Sequence, residues 1–136
     1  MSSKMIKLTD VQKKFLEGKN FAFLATVNRD GSPQVTPTWV DTDGEHVLIN
    51  IATTRVKAKN VKRDPRVAVA IADQSNPYSM ITIRGKVVDQ VTGKEAEDHI
   101  DKMSKKYTGQ DKYSFRQPGE KRLLLKIEPE KLASWG

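Results

Sequence analysis

Apolar residues recur along this chain with two different periods. Across residues 21–51, FAFLATVNRDGSPQVTPTWVDTDGEHVLINI, they form three short β-type runs, divided by Asn28-Arg29-Asp30-Gly31 and by Asp43-Gly44. Asp-Gly between such runs is a strong hairpin signal, because the favoured two-residue turns need a positive φ that glycine adopts without strain. The first run is apolar at nearly every position, which predicts a strand buried on both faces. The second contains Pro37, which has no amide hydrogen for a ladder. It predicts a bulge, a sheet edge or a close backbone approach to another group. Further strands are expected at 66–72 (RVAVAIA), 78–91 (YSMITIRGKVVDQV, bent at Gly85) and 121–129 (KRLLLKIEP).

The helical period appears in three places. Thr9 caps a first helix that stops at Gly18, with Leu8, Val11 and Phe15 on its apolar side. Residues 92–107, TGKEAEDHIDKMSKKY, put Ala96, Ile100, Met103 and Tyr107 on one buried side. The charges of this helix follow its dipole: Glu95, Glu97 and Asp98 open it, and Lys102, Lys105 and Lys106 close it. A middle helix covers about residues 54–63 and is ended by Asp64-Pro65. About six strands in hairpin succession with two or three inserted helices predict a mainly β protein, a small antiparallel barrel. At 136 residues, 1–136 is expected to be a single domain.

Composition narrows the chemistry. No run approaches the ~18 apolar residues of a membrane span, and MSSKMIKLTD lacks the apolar run of a signal peptide, so a cytoplasmic protein without membrane contact is expected. There is no cysteine, which excludes disulfides and thiolate chemistry. His46 and His99 are the only imidazoles and lie far apart in sequence, which argues against a histidine-built metal centre. The carboxylates Glu95, Glu97, Asp98 and Asp101 are accounted for by their helix start.

Charge is where the sequence becomes specific. The net charge is +7, and a basic protein of pI ≈ 9.6 favours anionic partners. Six cations, Arg55, Lys57, Lys59, Lys62, Arg63 and Arg66, stand against the single carboxylate Asp64 between residues 50 and 69, so +5 of that charge gathers at one strand-to-helix junction. Unlike the other two helices, the middle one opens on Arg55 and Lys57 with no carboxylate beside its positive end. At about 100° per residue, Arg55, Lys59, Lys62 and Arg63 share an outer arc, whereas Lys57 falls among Val56, Asn60 and Val61 on the side facing the body. A lysine so placed is costly unless an anion accompanies it. Helix-start amides, two cations and the hydroxyls of Thr53 and Thr54 together suit a phosphate group. The outer cations read as an ordinary solvated face.

The stretch ATTRVKAKNVKRDPRVAV, with FAFLATVNRDGSPQVTPTWVD before it and ITIRGKVV after it, resembles the flavin/deazaflavin oxidoreductases with the pyridoxamine phosphate oxidase-like split β-barrel. The resemblance covers nearly the whole chain, and YSFRQPGEKR is similar to the C-terminal portion of the branch using deazaflavin coenzyme F-420. It implies a homodimer with the cofactor in a cleft between protomers and hydride transfer to or from an unsaturated or conjugated small molecule. Arg55 and Lys57 match the cofactor-phosphate ligands, with Thr54 and Asn60 as neighbours. Thr36, Pro37, Thr38 and Trp39 match the strand beside the tricyclic ring. Asn50, Ile51, Ala52 and Thr53 match the strand end beneath the cofactor's side chain, and Tyr78 an aromatic closing over the ligand.

The oxidases of that family carry an Arg and, five residues on, a Lys where this chain has Thr36 and Asp41. Two phosphate-binding cations are thereby absent, which favours F-420 over FMN. A flavin mononucleotide (FMN) enzyme, a flavin carrier and a cofactor-storing protein stand as alternatives, without an assigned proton donor. A basic barrel binding nucleic acid is a further alternative. Against it, residues 51–77 hold no Phe, Tyr or Trp on which bases would stack. Arg116, Gln117 and Trp135 are open between ligand, partner and plain surface roles.

Overall fold

The computed structural model describes residues 6–136; the first half of MSSKMIKLTD, on which the expectation about a signal peptide rests, lies outside the described residues. Seven strands form one antiparallel sheet: β1 Ala22–Val27, β2 Pro33–Thr38, β3 Asp41–Thr42, β4 Val47–Ala52, β5 Arg66–Ala72, β6 Met80–Val91 and β7 Arg122–Trp135. Their spatial order is β2-β1-β5-β6-β7-β4-β3, and the sheet curls into a half-barrel of the split-barrel type. Three helices accompany it, α1 Asp10–Glu17, α2 Val56–Arg63 and α3 Lys94–Thr108. Among the described residues no helix is long and apolar enough to cross a membrane.

Register explains the core. Leu24 lies opposite Val69, Val69 opposite Ile83, and Ile71 opposite Ile81, so one face of β1, β5 and β6 is continuously apolar. Ile49 opposite Leu125 and Val47 opposite Ile127 continue it onto β4 and β7. Each such large side chain stabilises the fold by ~1.5–3 kcal/mol on burial. Every residue of β4 is buried because its second face is covered as well: Leu48, Leu124 and Ala96 of α3 form a separate apolar cluster there. Pro37 sits on the sheet's edge strand, one of the three situations that its missing amide hydrogen predicts. At Gly85 the β6–β7 register shifts, and a Cβ there would lie 2.1 Å from the Glu128 carbonyl oxygen, so only glycine fits the bend.

Four details differ from the sequence expectation. β1 is buried on one face only: Leu24 is fully covered, while Phe23 is 48% exposed on an outer face that none of the described residues covers. At α1, Leu8 and Phe15 pack on the core as expected, but Val11 is exposed and the most deeply buried positions of the helix are Gln12 and Leu16, with Gln12 Oε1 accepting from the Thr9 amide. Helix α2 begins at Val56, with Thr53 and Thr54 in the turn before it and Arg55 as N-cap. The seventh strand, β3, has two residues, too few to show a period.

Candidate functional site

The two edges of the sheet do not hydrogen-bond to each other, so the half-barrel has an open seam. Residues 36–39, leaving β2, face residues 50–52, ending β4, across a cleft of about 380 Å³. The start of α2 supplies Arg55 and Lys57, α3 supplies Ile100, β7 supplies Arg122, and the loop before β7 supplies Tyr113 and Phe115. This volume lies within the usual range of small-molecule sites.

One end of the cleft is cationic. Lys57, half-buried, donates from Nζ to Thr36 Oγ1 at 3.0 Å, and among the described residues it has no carboxylate partner. Burial pushes its ammonium below the ordinary value, and the Arg55 and Arg122 guanidiniums push it the same way. The Arg55 side chain has neither a hydrogen bond nor an ion pair among the described residues, and it caps a helix whose first turn has no acidic residue. The first amides of any helix lack intrahelical acceptors. Two uncompensated cations beside those amides are a donor set that fits a phosphate, and a bound anion would reverse the unfavourable field on Lys57.

The other end is aromatic. Trp39 stacks on Tyr107 with centroids 5.1 Å apart and planes at 5°, and Tyr113 meets the Trp39 edge at 5.9 Å. Phe115 continues the row beyond Tyr113 at 5.8 Å. The row is anchored from α3. Tyr107 Oη donates to the Asn20 carbonyl (2.6 Å) and accepts from the Val40 amide (3.1 Å). Lys106 Nζ donates to the Leu16 and Val40 carbonyls (2.9 and 2.7 Å). Burial lowers the Lys106 pKa to about 8 against the opposing pull of Asp41, consistent with a lysine used to hold backbone.

Behind the cleft wall runs a buried polar chain. Arg122 Nε donates to Asn50 Oδ1 (2.9 Å), and Asn50 Nδ2 faces the Ala96 carbonyl (2.8 Å) and His99 Nδ1 (3.2 Å). His99 Nε2 faces Asp41 Oδ2 (3.1 Å), which also accepts from Lys102 Nζ (3.2 Å). Burial opposes ionisation of Asp41, but the His99, Thr42 and Lys102 contacts outweigh it and hold the carboxyl at about 2.

Of the sequence-derived site residues, Thr36, Pro37, Thr38, Trp39, Asn50, Ile51, Ala52, Arg55 and Lys57 line this one cleft. Thr53 and Thr54 lie in the adjoining turn but not in its lining. Asn60 points elsewhere: its amide donates to Thr26 Oγ1 (3.0 Å) and Asn28 Oδ1 (2.9 Å), tying α2 to β1 and the turn after it. Tyr78 is 84% exposed on the β5–β6 loop and does not line its own chain's cleft. Of the outer cations Lys59 and Lys62 are exposed as expected, but Arg63 donates to the Val27 carbonyl (2.8 Å) and Arg66 forms a fork with Asp64 (3.0 and 2.7 Å). Arg116 pairs with Glu97 (3.1 Å) and Asp101 (3.5 Å), fastening its loop to α3. Gln117 is exposed, and the half-exposed Trp135 lies opposite Met80 at the end of β7.

Sequence reasoning missed Arg122, Tyr113, Phe115, Phe21 and Ile100 as cleft residues. For Arg122 a signal existed: it is a basic residue standing directly before the apolar run LLL.

Comparison with known proteins agrees with this geometry. A family model described as pyridoxamine 5'-phosphate oxidase matches residues 8–136. Among solved structures, an F420 reductase is 31% identical with a TM-score of 0.77, over 89% of this chain and 94% of the other. A conserved hypothetical protein of Mycobacterium tuberculosis shares the fold at 20% identity, TM-score 0.73, over 99% of this chain and 89% of the other. A putative pyridoxamine 5'-phosphate oxidase of Lactobacillus delbrueckii does so at 24% identity, TM-score 0.64, over 93% of each chain.

Proposed function

Since the chain belongs to the pyridoxamine 5'-phosphate oxidase family, we propose that it is an oxidoreductase using deazaflavin coenzyme F-420, acting on an unsaturated or conjugated small molecule. The observation that carries this reading is the pair Arg55 and Lys57, uncompensated at the start of α2 and facing the seam. The positions that hold cations in the flavin oxidases offer none here. Thr36 accepts a hydrogen bond from Lys57, and Asp41 is committed to His99 and Lys102 outside the cleft lining. The 31% identity to an F420 reductase supports the same choice.

When bound, the deazaflavin supplies the hydride chemistry; the protein binds, orients and excludes water. Arg55, Lys57 and the first α2 amides hold the phosphate. Thr36 keeps the Lys57 ammonium directed across the seam. Trp39, Tyr113 and Phe115 form an apolar wall suited to a flat conjugated partner and poor at admitting water. No side chain is assigned as proton donor.

A homodimer belongs to the same proposal. The uncovered face of the sheet carries Phe23, Val35 (60% exposed), Pro37, Ala68 and Ala70, apolar groups that adjoin the cleft through Pro37. A second copy on that face would bury it, and Tyr78 would then be available to a cleft other than its own.

The test is turnover. Reduced F-420 mixed with the protein and a panel of conjugated acceptors should be reoxidised at a protein-dependent rate. Reoxidation no faster than without protein, for every acceptor and with binding intact, would leave a carrier in place of an enzyme. An FMN enzyme is the second reading, favoured by the family model, since the same cations would serve the FMN phosphate.

A further inference from the structure

The chain Arg122–Asn50–His99–Asp41 crosses the wall between the cleft and the opposite side of α3. Its buried members come from three strands and a helix distant in sequence. Asn50 is the one polar residue of VLINIA, in a strand where apolar packing would be simpler. Buried polar networks of this kind are costly when half satisfied, and no buried side-chain nitrogen or oxygen among the described residues lacks a partner.

Hydrogen-bond polarity allows only one arrangement. The Ala96 carbonyl must receive a donor, so the Asn50 amino group faces it and Asn50 Oδ1 faces Arg122 Nε. The second amino hydrogen then points at His99 Nδ1, which must be bare. The imidazole proton is therefore on Nε2, donated to the ionised Asp41. The other tautomer would set donor against donor at Asn50 and acceptor against acceptor at Asp41. Turning the Asn50 amide would oppose its amino group to Arg122 Nε and its oxygen to the Ala96 carbonyl.

We propose that His99 is a positioning residue of the cleft: as the neutral imidazole protonated at Nε2, it fixes the Asn50 amide and through it the Arg122 guanidinium. Arg122 lies 5.0 Å over the Tyr113 ring and shares the cleft with Lys57, so its orientation shapes the field an anion meets. Arg122 retains two further ties, Nη1 to Glu120 (3.0 Å) and Nη2 to the Asn50 carbonyl (3.3 Å), so loss of His99 loosens the guanidinium without freeing it. The inference rests on the cofactor reading only for the ligand that senses it.

The test uses nitrogen NMR and titration together. With His46→Gln as background, His99 is the sole imidazole. At neutral pH its ring should show a protonated Nε2 and a bare Nδ1; the Nδ1–H form, or a rapidly averaged mixture, overturns the proposal. In the ligand-free protein the Arg122 Nε–H resonance should exchange slowly in wild type and in His99→Gln, whose amide offers one donor and one acceptor, and be lost in His99→Leu. In titrations with F-420 and FMN, His99→Leu should weaken binding about 3- to 10-fold, the effect of one lost hydrogen bond, while His99→Gln stays within about 2-fold. Equal binding by all three proteins, or a Gln variant as weak as the Leu variant, contradicts it. If His99→Leu does not fold, His99→Gln still decides: a missing Arg122 Nε–H signal there refutes positioning. If wild type binds neither cofactor, the functional reading fails while the ligand-free resonances still test His99.

Discussion

Replacing Lys57 with methionine separates a ligand-holding lysine from a solvated one. The side chain is half-buried, its one hydrogen bond is to Thr36 Oγ1 at 3.0 Å, and its near charged neighbours are Arg55 and Arg122. In the ligand-bound protein the substitution removes a charge-assisted hydrogen bond, ~1.5–3 kcal/mol. That corresponds to about a 10- to 150-fold loss of affinity for a phosphate-bearing cofactor. In the ligand-free protein the sign reverses. The folded pKa of Lys57 lies below its unfolded value of 10.5, so the folded state binds the proton less tightly than the unfolded chain. The penalty is fully present at neutral pH and disappears as pH rises through the unfolded value. Met keeps the stem and removes the ammonium, losing in exchange one bond to Thr36 worth ~1 kcal/mol. Lys57→Met should therefore melt within a few degrees of wild type or above it at pH 7, with any advantage shrinking in alkaline buffer. Arg55→Ala should lose affinity comparably, whereas Lys59→Ala, on the exposed arc, should lose little and mostly at low salt. Fluorescence titration at two salt concentrations and thermal melts read all of this. Uniformly small, salt-sensitive losses at the three positions would refute the phosphate site.

Asp41→Asn should flatten acid unfolding. The Asp41 carboxyl is held at about 2 instead of 3.8, so its stabilisation is present above the unfolded value and lost as pH falls towards about 2; denaturant titrations should show wild type losing about 2 kcal/mol across that window that the variant does not lose. Gly85→Ala should destabilise by ~2 kcal/mol or more, because its Cβ meets the Glu128 carbonyl at 2.1 Å and backbone must move; a urea midpoint unchanged from wild type would contradict this. Ala70→Arg, placed in the exposed outer face between Phe23 and Thr82, should sediment as a 15.3 kDa monomer while wild type sediments as a dimer.

Much of the barrel was legible because its signals are local. Pro37 at an edge and Gly85 at a register shift each follow from the chemistry of one residue. Lys57 was legible because helix facing and dipole sign concern neighbours in sequence. Arg122 was not: it enters the cleft by pairing opposite Ala52, a contact set by the β4–β7 register. The Tyr113 and Phe115 rings likewise reach the seam through a loop with no period of its own. Asn60 shows the opposite failure. The resemblance implies a place at the phosphate, but one turn further along α2 its amide is taken up by Thr26 and Asn28 of the β1–β2 hairpin, away from the cleft lining. The apolar pattern of β1 predicts burial without saying by what, and in the single chain Phe23 faces outward.

Titrating the unmodified protein with coenzyme F-420 and with FMN in parallel shows whether the seam holds an anion site selective for the deazaflavin. F-420 should bind at least ~10-fold tighter, a difference of ~1.4 kcal/mol. Equal or tighter binding of FMN would contradict the cofactor assignment, and binding of neither would contradict the site itself.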